Sequence, residues 1–361
     1  METPFRNSAG RRLASLAALA LAAIAGCGPR ETASPAAGPE YAFITNGVAD
    51  FWTIGKVGAE RAAADLGVKV SVIMPSSITD QTRKVEDLIT RGTAGIAISP
   101  INPANQGEIL EKAAAATNLI THDSDAPQSS RKAYIGMDNY EAGLICGKLV
   151  RDALPDGGKV MLFIGRLDQD NSQRRRQGCV DGILGREPDA SRRDDPGAVL
   201  SSDDGKYTIL GTMTDQFDRA KAKANAEDAL LRHADVAAMV GLFEYNPPLI
   251  LEALERAGRL REVKVIAFDE SQAVLQGIAD GTVVGTVVQN PYQYGYRSVE
   301  LLHALAAGKA DAVPESRFLN IPARVVLPDD SRKEFAGAEV IPVVAFREEL
   351  GKLLSGSKAA R

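Results

Sequence analysis

The sequence predicts an α/β protein of two Rossmann-like lobes, each a parallel sheet flanked by helices, with a cleft between them. Three observations predict it. Short runs rich in Val, Ile, Ala and Phe alternate with longer amphipathic stretches, which is the pattern of βαβ units. The runs are almost continuously apolar, as strands buried on both faces must be. The alternation restarts near residue 159, and the roughly 320 residues beyond the N-terminal segments exceed what one hydrophobic core usually serves.

The first forty residues belong to neither lobe. Arg6, Arg11 and Arg12 form a basic start, and Leu13 to Ala25 is an apolar stretch shorter than the roughly 20 residues a membrane span needs. The stretch closes with L-A-A-I-A-G-C at 21–27, which resembles the lipobox of bacterial lipoproteins. That resemblance implies a signal segment over 1–26, cleavage before Cys27, and lipid on Cys27. Residues 28–40, G-P-R-E-T-A-S-P-A-A-G-P-E, lack an apolar period and read as a flexible tether, so 27–40 is expected to be anchor and slack.

From Tyr41 the elements follow in order. Tyr41–Thr45, Val68–Ile73, Ala94–Ile98 and Asn118–Thr121 read as strands. Between them Ile54, Val57, Gly58, Ala62 and Leu66 share one helix face, and Val85, Leu88 and Ile89 share another. The second set has strands at Lys159–Ile164, Tyr207–Gly211, Val236–Val240, Val263–Phe268 and Val283–Val288, with helices near 173–184, 218–232, 247–257 and 271–279. Residues 185–206 are full of turn formers and charges and read as a surface insertion. Beyond Asp329 an apolar run, Val340–Phe346, precedes a polar end.

Composition narrows the function classes. Charged residues make up 25% of the chain and the net charge is only -5, with both signs mixed, so no basic stripe points to nucleic acid. With Cys27 assigned to lipid, Cys146 and Cys179 remain, each in a helix-like apolar segment, either paired or free and buried. There is no G-x-S-x-G elbow, no H-E-x-x-H and no Cys or Ser matched with a base, so an enzyme is not expected. Asp168 and Asp170 begin like a calcium loop, but Gln173 and Cys179 stand where glycine and a bidentate acid are needed, so no metal and no cofactor is expected.

In an open α/β sheet, ligands bind beyond the carboxyl ends of the strands. That rule selects Asn46, Ser99, Asp123, the stretch Phe243 to Asn246, Asp269 and Gln289. Carboxylates accept from neighbouring hydroxyls and amides donate to ring oxygens. Phe51 and Trp52 add aromatic faces that pack on the C–H face of a sugar ring. Together these are the ingredients of a sugar site.

The chain from about Tyr41 to Val326 resembles the periplasmic sugar-binding proteins of the ribose, galactose and xylose type, the receptors of ABC importers. The resemblance runs through T-N-G-V-A-D-F-W at 45–52, D-L-I-T-R-G-T-A-G-I-A-I-S-P at 87–100, T-H-D-S-D-A-P at 121–127 and Y-I-G-M-D-N-Y-E-A-G at 134–143. It continues through R-R-Q-G at 175–178, V-I-A-F-D at 265–269 and G-T-V-V-Q-N-P at 285–291. It implies a type I periplasmic-binding fold with a multi-segment hinge: 41–137 plus 290–320 in the N-terminal lobe, 138–289 plus 321–350 in the C-terminal lobe, and a polar tail over 351–361. Hinge segments are expected near Met137, Tyr245 and Gln289.

The same resemblance implies that Phe51 and Trp52 are paired aromatics clamping the sugar, Phe217 a third from the other lobe, and Asp123, Arg175, Asp269 and Gln289 the polar grip. Three departures set the chain apart from ribose binders. Ser124 replaces an arginine, Ser99 an asparagine, and L-F-E-Y-N-P-P with Phe243 the usual N-D turn, where Asn246 is a candidate substitute. The expected protein is a monomeric, exported, lipid-anchored receptor of the cell envelope or periplasm that touches the membrane only through Cys27. It binds a monosaccharide or polyol, hands it to an ABC permease, and binds no nucleic acid. Alternatives are a sugar-sensing module for a chemoreceptor or histidine kinase, and an envelope glycoside hydrolase using Asp123 with Asp269. A transcription regulator of this fold would need a helix-turn-helix where the export signal stands. At single residues the alternatives are that Asp123 and Asp269 cap helices and that Phe51 and Trp52 are core, while His122 reads as a packed, hydrogen-bonded histidine.

Overall fold

The computed structural model describes residues 38–328 and 332–356; the expected signal segment, Cys27 and the tether up to residue 37 lie outside the described residues. The first set of elements is β1 (Glu40–Ile44), α1 (Asp50–Leu66), β2 (Lys69–Ile73), α2 (Ile78–Thr90), β3 (Gly95–Ile98), α3 (Gly107–Ala116), β4 (Asn118–His122) and β5 (Tyr134–Gly136). Then come α4 (Asn139–Ala153), β6 (Gly158–Ile164), α5 (Asp170–Leu184), β7 (Leu200–Ser201), β8 (Tyr207–Thr214) and α6 (Arg219–Arg232). The set ends with β9 (Val236–Gly241), α7 (Asn246–Arg256), β10 (Lys264–Phe268), α8 (Gln272–Asp280) and β11 (Gly285–Val288). The chain finishes with α9 (Pro291–Ala306), β12 (Phe318–Asn320), β13 (Arg324–Leu327), β14 (Glu334–Phe335), β15 (Ala338–Pro342) and α10 (Val343–Gly356).

The strands form two sheets, ordered β12-β5-β4-β3-β1-β2 and β14-β15-β13-β11-β10-β9-β6-β8-β7. Each contains the same winding: a first strand, β1 or β6, lies between the second and the third, so each sheet reverses direction beside its first strand. That reversal opens a crevice at the carboxyl ends, where ligands bind in such sheets. The first sheet is parallel throughout. The second departs from the all-parallel expectation, because β13 runs antiparallel to β11, β14 to β15 and β7 to β8. The chain enters β13 from the first sheet at the end where β11 leaves the second, so the two strands run in opposite directions.

The first helix of each winding packs against a helix that arrives from the other sheet, α9 on α1 and α4 on α5. Glycine makes the second pair close: a Cβ on Gly178 would lie 2.0 Å from the Tyr140 carbonyl oxygen, and one on Gly143 2.1 Å from that of Arg175. Backbones this near admit no larger residue. On α1 the buried face carries Trp52, Ile54, Gly55, Gly58, Ala59, Ala62 and Ala63, while Leu66, expected inside, is 36% exposed.

One further expectation is corrected. The chain passes between the sheets at 137–138, 289–290 and 321–323, whereas Tyr245 lies between β9 and β10 of one sheet and is no crossing point. Residues 185–206 lie at the surface, as expected, and are tied down by named bonds. Asp181, fully buried, accepts from the Tyr140 hydroxyl at 2.8 Å and pairs with Arg192 at 2.7 Å, while Arg176 of α5 donates to the carbonyls of Asp194 and Asp195. Asp181 and Arg176 of α5 and the Tyr140 hydroxyl of α4, which accepts the Asp189 N–H at 2.6 Å, hold the segment against these two helices. The apolar run Val340–Phe346 spans β15 and the start of α10, and that helix continues through the first residues of the expected polar tail. Cys146 and Cys179 are both buried and free.

Candidate functional site

Asp123 follows β4 and Asp269 follows β10, the fourth strand of each winding, and both stand at positive φ, 59° and 62°. Aspartate tolerates this left-handed conformation better than most residues, and such strain collects at functional sites. Both are pinned at their backbone ends. The Asp123 N–H donates to the Ile135 carbonyl at 3.0 Å and its own carbonyl accepts from the Tyr134 hydroxyl at 2.9 Å. The Asp269 N–H donates to Val287 at 2.8 Å and its carbonyl accepts from Thr286 Oγ1 at 2.6 Å. These bonds fix the backbone at both Asp123 and Asp269.

Around Asp123 the structure gathers two of the expected residues. Asn46 Nδ2 and Ser99 Oγ both donate to Asp123 Oδ2, at 3.1 and 2.9 Å. Among the described residues Oδ1 receives no hydrogen bond, so one carboxylate oxygen is saturated and the other open. The loops carrying Asn46 and Ser99 are set by Gln81, a fully buried side chain of α2 that donates to the carbonyls of Thr45 at 2.7 Å and Ser99 at 2.8 Å. The sequence carries no signal for that role beyond a polar residue on an otherwise apolar helix face.

The aromatic pair separates. Trp52 is 3% exposed and meets Phe43, Phe51 and His122 edge-on, and its indole N–H donates to Asn46 Oδ1 at 3.0 Å. Its polar edge therefore steadies Asn46. Phe51, half-buried, lies against Trp52 and Tyr294. His122 stacks on Phe43 at 4.1 Å, bonds the Ile44 carbonyl at 3.0 Å, and is pushed down to about 3 by burial, so it stays neutral.

Arg175, on α5 in the second lobe, is 1% exposed. Its guanidinium lies 4.0 Å from the Phe268 ring centroid and 5.3 Å from that of Phe243. Nε and Nη2 donate to Asn139 Oδ1 and Nη1 to the Leu242 carbonyl at 2.9 Å. A guanidinium has five N–H donors, so two stay available. Asn139, the residue that aims it, was missed because nothing in Y-I-G-M-D-N marks an amide that reaches across to another helix. Asp269 Oδ1 accepts from Gln289 Nε2 at 2.9 Å, and Gln289 Oε1 from the Tyr294 hydroxyl at 3.1 Å.

Burial dominates the electrostatics. It pushes Asp123 up to about 6, against the hydrogen bond from Ser99 and the nearby charge of Arg175, with Asp269 adding to the rise. Asp269 is raised by burial and drawn back by Arg175. Glu244 is raised to about 7 by burial and by the charge of Asp269. One buried cation thus serves carboxylates from both sheets, and hydroxyl groups between them would find acceptors on either side and donors on Arg175.

Phe217 and Asn246 gather elsewhere on the same rim, around Asp215. Its carboxylate accepts from Tyr245 Oη at 2.5 Å, Asn246 Nδ2 at 2.9 Å and the Phe217 N–H at 2.8 Å. Asn246 is therefore engaged with the protein itself. Asp215 follows β8, so the strand-end rule would have reached it had the strand been read to its full length. The lobes also meet directly: Asn102 Nδ2 donates to Asp168 Oδ2 at 3.1 Å and Gln169 Nε2 to the Ile101 carbonyl at 2.9 Å.

Comparison with known proteins places the chain in a family and a fold. A family model described as a periplasmic binding protein domain matches residues 41–310. The ribose import binding protein RbsB of Bacillus subtilis is 26% identical over 262 residues, covering 72% of this chain and 78% of that protein. Its counterpart in Salmonella typhimurium is 25% identical over 261 residues, covering 72% and 81%. Among solved structures, an ABC transporter solute-binding protein from Burkholderia graminis, in complex with D-arabinose, has a TM-score of 0.72 at 25% identity, covering 84% of this chain and 99% of that one. GanP, a glucose-galactose binding protein from Geobacillus stearothermophilus, has a TM-score of 0.72 at 24% identity and shares the fold, with 81% and 99% covered.

Proposed function

The chain belongs to the periplasmic binding protein family, and from that premise we propose that it is a receptor that binds a monosaccharide or polyol between its lobes and delivers it to an ABC importer. The observation that carries the reading is that the charge of the buried Arg175 acts on both Asp123 from one sheet and Asp269 from the other, with Asp123 Oδ1 and two guanidinium N–H groups open. A sugar's hydroxyls supply both donors and acceptors to such a set, and one molecule contacting both lobes favours the arrangement in which they meet. The names of the relatives, ribose import binding proteins, and the D-arabinose in the Burkholderia neighbour support sugar as the ligand class.

The lobes are assigned as 41–137 with 290–320 and 138–289 with 321–350. Phe51 and Phe217 are the rings offered to the sugar, with Asn46, Ser99, Asp123, Arg175, Asp269 and Gln289 its polar frame, while Trp52 backs that frame through Asn46 and Asn246 backs Phe217 through Asp215. Cys27 carries the lipid of an exported, monomeric protein, and replacing it with alanine is expected to move the protein from the membrane to the soluble fraction. Isothermal titration against pentoses, hexoses and inositols tests the binding. At least one is expected to bind with micromolar or tighter affinity, and no heat from any of them with folded protein would remove the reading.

A further inference from the structure

In the second sheet the carboxyl ends of β10, β9, β6 and β8 lie side by side, and the residues leaving them are, in that order, Asp269, Leu242–Tyr245, Gly165 and Asp215–Phe217. Phe217 and Phe243 stack with centroids 5.7 Å apart and planes 19° from parallel, and Tyr245 tilts against both at 6.4 and 6.3 Å. Gly165 makes room beneath them: a Cβ there would lie 2.7 Å from Phe243 Cε2 and 2.8 Å from Phe217 Cε1. Phe243 touches the face of Arg175, so the rings adjoin the polar frame, and Phe217 remains 44% exposed.

Three bonds into the buried carboxylate of Asp215 hold this group together, from Tyr245 Oη, Asn246 Nδ2 and the Phe217 N–H. Gln216 and Phe217 are two consecutive non-glycine residues at positive φ, 61° and 65°. A run of that kind persists only where its surroundings over-determine it. Asp215 does so from one side and the Gly165 carbonyl, accepting the Gln216 N–H at 2.9 Å, from the other.

We propose that Phe243 and Phe217 form an apolar shelf that selects a deoxy or methyl-bearing sugar over its fully hydroxylated parent, with Asp215 as the residue that positions the shelf. The inference rests on the sugar reading above and specifies its substrate class. A ligand hydroxyl laid against stacked rings loses water without gaining a partner, whereas a methyl or methylene gains contact. Sites of this contrast discriminate by about tenfold or more.

The test titrates the full protein with matched pairs: D-fucose with D-galactose, L-rhamnose with L-mannose, and 2-deoxy-D-ribose with D-ribose. In at least one pair the deoxy sugar is expected to bind at least roughly tenfold tighter, with the ratio falling toward one in Phe243→Asn and in Asp215→Asn. A change that only loosened the lobe would lower the melting temperature and leave that ratio intact. The inference is overturned if every parent sugar binds as well as its deoxy partner, if the ratio survives both substitutions, or if other sugars bind while none of these does. Absence of binding by any sugar or polyol is a different failure, which removes the sugar reading itself.

Discussion

Asp123 concentrates the chemistry of the site in one residue. Its carboxyl is raised from 3.8 to about 6, chiefly by burial. A carboxyl whose folded pKa exceeds its unfolded value binds more protons in the folded state. Its contribution is therefore fully present below about pH 4 and is lost as pH rises through about 6. The unliganded protein is expected to melt at a higher temperature at pH 5 than at pH 7.5 as far as this residue decides, and Asp269 and Glu244, both raised, act in the same sense. Asp123→Asn should stabilise the unliganded protein at pH 7.5 by about 1–3 kcal/mol and flatten that pH dependence, as read by thermal melts. It should also weaken sugar binding roughly 10- to 100-fold, since a charged acceptor is lost. A variant that binds sugar normally would show that Asp123 is a structural turn residue only.

Helix packing decides where Arg175 stands. It is carried by α5, whose Gly178 lies on the backbone of Tyr140 in α4, and it is aimed by Asn139 at the start of α4. Gly178→Ala would force the helices apart, at a cost of about 1–3 kcal/mol in denaturant unfolding, and would displace the guanidinium from Asp123 and Asp269. Unchanged stability and affinity in that variant would contradict the packing account. Strands such as Val236–Gly241 and Lys264–Phe268 were legible because a buried parallel strand needs an unbroken apolar run, and Asp269 was legible because it follows one. Three-residue strands such as Tyr134–Gly136 and Phe318–Asn320 are too short to show a period, and β13 and β15 follow a crossing that no local pattern announces. Asn139, Gln81 and Asp215 act through contacts distant in sequence, so their polar character was visible while their partners were not. Trp52 was expected to clamp the sugar beside Phe51, and only its neighbours reveal that it is buried with its N–H committed to Asn46.

Across the whole molecule, two windings of the same order present equivalent strand ends to each other, and the chain threads between them three times. The bonds from Asn102 to Asp168 and from Gln169 to Ile101 tie the rims of the two windings together. The central claim is that one ligand is gripped by both sheets at once. A crystal structure of the sugar complex tests this most directly. The account predicts a single sugar within hydrogen-bonding distance of Asp123, Arg175 and Asp269 together. A sugar held by residues of one sheet alone, or bound away from these three, would contradict it.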